Sequence, residues 1–260
     1  MEAAFFDLDK TVIARSSVLA FGKPLYRAGL IPRRALLRSL FGQVVYRLGG
    51  ASEARMDKAR DAMLSVTRGW EQAVIKRVIG EGFEKVVRPL IYAEAIELFA
   101  QHKAAGRKVF LVSASPTEIV SLMAVELGAD GCIASVGQVD DAGRLTGALD
   151  FYAYGPHKAA AIRTTAEAQG IDLSRSFAYS DSATDAPMLE VVGHPVAVNP
   201  DRELARLAAR KGWEVRRFEN PVQLRRRVGA PSPGQAAALA GGAAALGLTW
   251  AACRRLRRAV

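Results

Sequence analysis

The sequence predicts an α/β fold, with a Rossmann-like parallel sheet as its core and a helical cap inserted after the first strand. Three observations support this prediction. Short apolar runs alternate along the chain with segments of helical periodicity. Each of four such runs ends in a polar residue, which is typical of parallel strands that open onto one crevice. A long helical stretch, about residues 15–88, separates the first strand from the rest of the alternation.

The composition is that of a soluble globular protein with a large core. The chain has 260 residues, of which 50% are apolar and 24% charged, enough for one domain with an insertion. Cys132 and Cys253 lie far apart, which indicates a reducing compartment and no disulfide framework. No basic segment precedes the first strand, so no signal peptide is predicted and we expect a cytoplasmic protein.

The net charge of +10 indicates an anionic partner. No recognised nucleic-acid-binding motif is present, so nucleic acid is not the expected partner. A small phosphorylated metabolite, a lipid-like phosphate or an anionic membrane surface would each fit the charge.

The first strand carries the most informative residues. The apolar run Ala3–Phe6 is typical of a buried strand, and it stops at two carboxylates, Asp7 and Asp9. Burial of two acids at the end of a core strand costs several kcal/mol unless a cation or hydrogen-bond donors compensate. This placement therefore suggests a site, although aspartates also begin many ordinary turns.

The remaining elements follow from periodicity and turn residues. Within the inserted block, helices are predicted at about Glu53–Thr67 and Trp70–Phe83, and Pro89 ends the block. A hairpin is expected across Ala134–Phe151, with its turn at residues 140–143. The other predicted elements are helices over Ala93–Ala105, Pro116–Leu127, His157–Gln169, Ala186–Val192 and Leu204–Lys211, and strands over Lys108–Val112, Ser176–Tyr179 and Pro195–Val198.

These elements divide the chain into three parts. Residues 1–14 and 89–228 form a discontinuous catalytic core. Residues 15–88 form the helical cap, which would stand over the crevice because it follows the carboxyl end of the first strand. Residues 229–260 form a Gly/Ala-rich tail.

Polar residues at the predicted strand ends form a candidate site. They are Asp7, Asp9, Ser113, Asp181, Asp185 and Asn199, joined by Lys158 from the start of a helix. Several carboxylates around one point require a hard cation, and an oxygen-only set of ligands suits Mg²⁺. An aspartate beside a bound phosphate can act as a nucleophile, and a lysine and a serine hydroxyl can neutralise phosphoryl oxygens.

Four segments together resemble the motifs of the haloacid dehalogenase superfamily, in its phosphoserine-phosphatase-like subfamily IB. They are Asp7-Leu8-Asp9-Lys10-Thr11, Ser113 within Leu111–Ser115, Lys158, and Asp181-Ser182-Ala183-Thr184-Asp185. The resemblance covers about residues 3–213. Each motif is weak alone, but their order and their places at strand ends make the set specific.

The resemblance implies a role for each motif residue. Asp7 would attack phosphorus and form a phospho-aspartate, while Asp9 would protonate the leaving oxygen and later activate water. The phosphoryl group of the substrate would be bound by Thr11, Ser113, Ala114 and Lys158.

The resemblance also implies a magnesium site. Mg²⁺ would be held by Asp7, the backbone carbonyl of Asp9, and Asp181. Asp185 and Asn199 would lie behind these ligands and orient them.

Two positions depart from the family pattern. Family members usually have glycine before the first aspartate of the fourth motif, and this chain has Ser180, whose small side chain we expect the site to tolerate. The phosphoserine enzymes carry acids shortly after the first motif, where this chain has Arg15, Ser16 and Ser17. An arginine repels an ammonium group, so we expect a substrate other than phosphoserine and assign these three residues to cap specificity.

Two segments raise the question of a membrane. Between Lys10 and Ser52 there are eight basic residues and no acid, which favours either an ordinary solvated helical hairpin or a surface for anionic lipid or acidic substrate. In the tail, residues 234–252 carry no charge but are rich in Gly and Ala. A spanning helix, a surface helix and a disordered tail all stay open there.

The preferred interpretation is a Mg²⁺-dependent phosphomonoester hydrolase. Phosphotransfer to an acceptor other than water is the alternative within the same chemistry. A catalytically inactive, membrane-associated regulatory protein on this fold is the alternative from another class, and the intact motif set argues against it.

Overall fold

The computed structural model of this chain describes residues 1–31 and 53–221, which contain one seven-stranded sheet. The strands are β1 (Ala3–Asp7), β2 (Lys108–Pro116), β3 (Gly131–Val139), β4 (Leu145–Phe151), β5 (Phe177–Ser180), β6 (His194–Val198) and β7 (Glu214–Arg216). Their order across the sheet is β4-β3-β2-β1-β5-β6-β7. Only the β3–β4 pair of this sheet is antiparallel, so the predicted α/β fold with a parallel, Rossmann-like core is confirmed.

Helices connect the strands and also fill the chain between β1 and β2. They are α1 (Ser17–Ala20), α2 (Gly22–Arg27), α3 (Glu53–Thr67), α4 (Gln72–Val86), α5 (Ala93–Ala104), α6 (Thr117–Leu127), α7 (Pro156–Gln169), α8 (Ala186–Glu190) and α9 (Arg202–Lys211). The chain order therefore places four described helices between the first strand and α5, where the sequence predicted an inserted helical block.

Alternation along β1 and β2 divides the core between the two faces of the sheet. Ala4 and Phe6 pack in one apolar cluster, whereas Ala3 and Phe5 pack in the other, because successive strand side chains point to opposite faces. All four are fully buried. The central position of β1 thus follows from a run that is apolar on both faces.

The hairpin was predicted, but its part in the sheet was not. β3 pairs with β4 in the antiparallel sense and also with β2 in the parallel sense. The hairpin therefore extends the main sheet. The sequence also gave no sign of β7, since Glu214–Arg216 is a three-residue edge strand with two charged side chains.

The hairpin is bonded to the chain between α3 and α4. The amide of Gly69 donates to the carbonyl of Leu145 (2.7 Å), and the Leu145 amide donates to Trp70 (2.9 Å). The Gln72 amide donates to the carbonyl of Gly143 (3.0 Å). These bonds fix the α3–α4 connection against the sheet edge in this structure.

Some sequence-based expectations lie outside the described residues. The basic stretch beyond residue 31 and the whole tail 229–260 belong to this group. Among residues 1–31 and 53–221, no helix is both long and apolar enough to cross a bilayer.

The histidine of α5 is part of the core. His102 is 4% exposed, its Nε2 lies 2.8 Å from the Tyr179 hydroxyl, and its ring packs against Phe6 and Phe177. Burial is the main cause that lowers the pKa of His102 to about 4, with the positive charge of Arg107 adding to it. His102 is therefore neutral in the folded protein at neutral pH, as a structural residue should be.

This burial predicts a pH-dependent loss of stability. Because the folded pKa lies below the unfolded value, the unfolded chain takes up the proton first, so stability is complete above about pH 6.5 and falls as pH decreases toward 4. Between pH 7 and pH 5 we expect His102 to contribute a loss of no more than about 2 kcal/mol. Urea unfolding of wild type and His102→Phe at both pH values measures it, since other groups cancel in the difference. Equal pH dependence in the two proteins would contradict the prediction.

Candidate functional site

The strand register brings the predicted motif residues to one edge of the sheet. Asp7 is paired with Val112 of β2, directly before Ser113. On the other side Phe6 is paired with Tyr179 of β5, so Ser180 is level with Asp7 and Asp181 follows it. The carboxyl ends of three adjacent parallel strands thus supply the aspartates and the serine.

Lys158 lies between two buried aspartates at this edge. It belongs to the first turn of α7, and its Nζ donates to Asp7 Oδ1 (2.6 Å) and to Asp185 Oδ2 (2.8 Å). The exposed fractions are 3% for Lys158, 6% for Asp7 and 3% for Asp185. The structure therefore brings together the lysine and two of the acids that the sequence placed at one site.

The electrostatic balance of this edge is negative. Burial raises the pKa of Asp7 well above its usual range, against the opposing charge of Lys158. Burial likewise raises the pKa of Asp181 to about 7, with Lys10 opposing it. The carboxylates of Asp185 and Asp7 raise the pKa of Lys158 although burial acts to lower it. The acids outnumber the buried lysine, so a further cation would stabilise their charged forms.

Asp9 is held by donors from two parts of the chain. Its Oδ1 accepts from the amide of Ser17 (2.6 Å), where α1 begins, and its Oδ2 accepts from Ser115 Oγ (2.8 Å). The hydroxyls of Ser17 and Ser115 are also 2.9 Å apart. The carboxylate therefore has a fixed orientation that depends on the position of α1. Ser17, predicted to be a cap-specificity residue, is buried and bonds this acid.

The predicted phosphate-binding residues lie beside Asp7 in the chain or the sheet. Thr11 is fully buried, and its Oγ1 has no hydrogen-bond partner among the described residues. Ser113 is 1% exposed and accepts from the amide of Ser115 (3.1 Å). The carbonyl of Ala114 accepts from Ser135 Oγ (2.7 Å), which fixes the backbone after Ser113.

Asp201 holds the loop that follows Asp181. Its carboxylate caps α9 by accepting from the amides of Glu203 and Leu204, and it also accepts from the amide of Ala183 (3.0 Å). Its own amide donates to the carbonyl of Asp181 (2.7 Å). The Asp201 carboxylate therefore caps α9 and also fixes the loop of the fourth motif.

Asn199 is committed to the backbone of a neighbouring segment. It follows β6 with a left-handed φ of 43°. Its Nδ2 donates to the carbonyl of Phe218 (2.9 Å), and its Oδ1 accepts from the Phe218 amide (3.0 Å). These bonds tie the chain after β7 to the end of β6, and a part for Asn199 in orienting metal ligands stays a prediction.

The two other residues assigned to cap specificity lie at the start of the helical block. Arg15 is exposed, and Ser16 is half-buried at the residue before α1 without a side-chain capping bond. The exposed guanidinium of Arg15 therefore lies two residues before Ser17, whose amide donates to Asp9.

Sequence reasoning did not predict the contacts of two serines at this edge. Ser115 bonds Asp9, and Ser180 Oγ donates to Asp185 Oδ2 (2.7 Å). Alternation along β2 was the available signal for Ser115, since residues two apart share a face with Ser113. For Ser180 the signal was its position directly before Asp181.

The residues fit a hard divalent cation. Within residues 1–31 and 53–221, no group of three or more His, Cys, Asp or Glu side chains is placed to hold a metal ion. The predicted set is smaller than such a group, because it contains two carboxylates, Asp7 and Asp181, and one backbone carbonyl. Its ligand atoms are all oxygen, and Lys158 and Lys10 compensate the charge of the three buried acids at this edge only in part, which is the chemistry that Mg²⁺ prefers.

Comparison with known proteins identifies the family. Residues 4–190 match the model of the haloacid dehalogenase-like hydrolases. The inhibition of morphological differentiation protein of Streptomyces azureus is 48% identical over 259 residues, 97% of this chain and 94% of that protein. A probable phosphatase of Mycobacterium tuberculosis is 48% identical over 230 residues (88% and 80%), and a phosphoserine phosphatase of that species is 35% identical over 260 residues (98% and 82%).

Solved structures show the same fold. A protein of unknown function from Bordetella pertussis superposes with a TM-score of 0.72 at 27% identity, covering 82% of this chain and 97% of that one. A phosphoserine phosphatase in a phospho-aspartyl intermediate analogue form superposes with a TM-score of 0.57 at 18% identity, covering 85% and 94%. With this family match over residues 4–190 and the curated relatives, the chain belongs to the haloacid dehalogenase-like hydrolases, as a phosphoserine-phosphatase-like member.

Proposed function

We propose that this protein is a Mg²⁺-dependent phosphatase that hydrolyses a phosphomonoester through a phospho-aspartate on Asp7. The observation that carries the proposal is the buried Asp7 carboxylate at the end of the central strand, 2.6 Å from Lys158 Nζ. The names of two relatives, a probable phosphatase and a phosphoserine phosphatase, support the same reaction class.

In the first half-reaction, a carboxylate oxygen of Asp7 attacks phosphorus, and the bond from phosphorus to the ester oxygen breaks. Asp9 gives its proton to that leaving oxygen. Lys158, which is charged and bonded to Asp7, neutralises the negative charge that develops on the phosphoryl oxygens. Thr11, Ser113 and the backbone at Ala114 surround the phosphoryl group in this proposal.

In the second half-reaction, Asp9 accepts a proton from water, and that water attacks phosphorus and releases Asp7 with inorganic phosphate. The bonds from Ser17 and Ser115 keep the Asp9 carboxylate in one orientation for this step.

Asp7, the backbone carbonyl of Asp9, and Asp181 would hold Mg²⁺, with Asp185 behind them. The cation, when bound, supplies positive charge that stabilises the transferring phosphoryl group. Residues 15–88 would act as the cap that excludes water from this edge and selects the substrate.

We infer that phosphoserine is not the preferred substrate. Arg15 stands where the phosphoserine enzymes carry acids, and its guanidinium would repel a substrate ammonium and attract a second anion. The relative named phosphoserine phosphatase points the other way, so L-phosphoserine must be included in any comparison. A small phosphorylated metabolite or lipid-like phosphate with an anionic leaving group fits these residues better.

A phosphate panel tests the proposal. With Mg²⁺ present, we expect hydrolysis of 4-nitrophenyl phosphate and of at least one anionic metabolite phosphate, and a lower kcat/KM for L-phosphoserine. Removal of Mg²⁺ with EDTA should lower the rate by about 100-fold or more, and added Mg²⁺ should restore it. Release of inorganic phosphate is the measurement.

The panel also separates the alternatives. Acceleration by an added alcohol, with phosphate transferred to it, would favour phosphotransfer. No turnover of any compound with Mg²⁺ present would contradict the phosphatase. L-phosphoserine as the best substrate would contradict the role given to Arg15.

A further inference from the structure

Ser180 is placed to act on the site although it touches neither of the predicted catalytic aspartates directly. It is the last residue of β5 and is fully buried. Its Oγ donates to Asp185 Oδ2 (2.7 Å) and accepts from the amide of Ser182 (3.3 Å). The amide contact leaves the hydroxyl proton directed at Asp185, since a serine hydroxyl has one proton to donate.

The acceptor atom links Ser180 to the lysine. Asp185 Oδ2 accepts from Ser180 Oγ and also from Lys158 Nζ (2.8 Å), and the same Nζ donates to Asp7 Oδ1 (2.6 Å). Hydrogen bonds to a buried charged oxygen are strong and directional. Ser180, Asp185, Lys158 and Asp7 therefore form one buried series of hydrogen bonds, in which each side chain is held by its neighbour.

Without the serine hydroxyl, Lys158 would be the partner that decides where this Asp185 oxygen lies. The carboxylate could then rotate about its χ2, and its unshared charge would attract Lys158 more strongly away from Asp7. With the hydroxyl in place, part of that charge is already neutralised, and the position of the oxygen is defined by two donors.

We propose that Ser180 is a positioning residue, which fixes Asp185 and through it holds Lys158 toward Asp7 and the phosphoryl group. This proposal rests on the phosphatase function given above. It means that the hydroxyl of this serine contributes to the rate.

Kinetics of Ser180→Ala test the proposal, since alanine keeps the Cβ and removes the hydroxyl. We expect kcat to fall by about 10- to 100-fold, the effect of losing one hydrogen bond to a charged group, while KM changes by less than about twofold. Inhibition by orthovanadate, which adopts a five-coordinate geometry like the transferring phosphoryl group, should weaken by the same factor as kcat. Inhibition by inorganic phosphate should change little.

Ser176→Ala is the matched control. Ser176 is also fully buried and lies four residues earlier, where its Oγ donates to the carbonyl of Asp172 (2.7 Å) and accepts from the Ala3 amide (3.0 Å). It lies directly before the amino-terminal end of β5, whereas the site lies at the carboxyl ends of the strands. Its loss should lower the melting temperature and leave kcat and orthovanadate inhibition unchanged.

The possible outcomes distinguish the positioning role of Ser180 from the proposed phosphatase function. If wild type hydrolyses phosphomonoesters and Ser180→Ala has the wild-type kcat and orthovanadate inhibition, the positioning role is refuted and the phosphatase stands. If Ser180→Ala and Ser176→Ala both lose activity, each in proportion to the decrease in its melting temperature, the role of Ser180 is structural. If wild type is inactive on the whole phosphate panel, the proposed function fails and this inference fails with it.

Discussion

Asp7→Asn is expected to reduce phosphatase activity by about 10⁴-fold or more, because the amide cannot form the phospho-aspartate. The same change should not lower stability. Burial raises the pKa of Asp7, so its charged form is disfavoured in the folded protein, and a neutral amide of the same shape removes that cost. Lys158 keeps its bond to Asp185 in the variant. Steady-state kinetics and urea unfolding in EDTA measure the two effects.

The control for this variant is Asp172→Asn. Asp172 is an exposed carboxylate that caps the short 3-10 turn Leu173–Arg175, before β5 and away from the site. It should leave kcat unchanged. Activity of Asp7→Asn within tenfold of wild type would show that another group is the nucleophile, and a large loss of stability would show that activity was lost through misfolding.

Lys158→Met is expected to have the second large effect, on both stability and rate. It leaves Asp7 and Asp185 buried without their cation, and breaking a buried pair by removing one partner costs about 3–5 kcal/mol. We therefore expect the free energy of unfolding at neutral pH in EDTA to fall by about 3 kcal/mol or more. Turnover should fall below detection in the same variant, because the charge on the phosphoryl group is no longer neutralised.

Two further variants separate the causes of the expected loss of stability in Lys158→Met. In Lys158→Met/Asp185→Asn one of the two stranded charges is removed, so part of the lost stability should return while activity stays lost. Lys211→Met breaks the exposed pair with Glu190, and it should change stability by less than about 1 kcal/mol. If Lys158→Met and Lys211→Met had equal effects on stability, the buried pair would not have the strength that its burial implies.

Much of the site was predictable because motif spacing and strand ends carry it. Asp7 and Asp181 follow apolar runs that are buried on both faces, and parallel strands bring their carboxyl ends to one edge. Lys158 was predictable from the start of its helix and from the motif order. The residue types of these positions are demanded by their chemistry, so local sequence is sufficient to recognise them.

Contacts between distant segments were not predictable. Ser17 and Ser115 are 98 positions apart, and they reach Asp9 from different elements, Ser17 from the start of α1 and Ser115 from β2. Ser17 was predicted to be a cap-specificity residue, and its amide donates to Asp9. Asn199 was expected to support the metal site, whereas its amide binds Phe218 because β7 brings that segment beside β6.

The sequence by itself determined the parallel sheet, the family and the positions of the motif residues, because apolar periodicity and residue chemistry are local properties. The tertiary structure alone decided which oxygen each donor meets: Ser180 and Lys158 share one oxygen of Asp185, and Lys158 reaches Asp7. The choice of hydrogen-bond partner depends on differences of a few tenths of an ångström in the distances between segments that are far apart in the chain. Such distances have no signature in the spacing of residues.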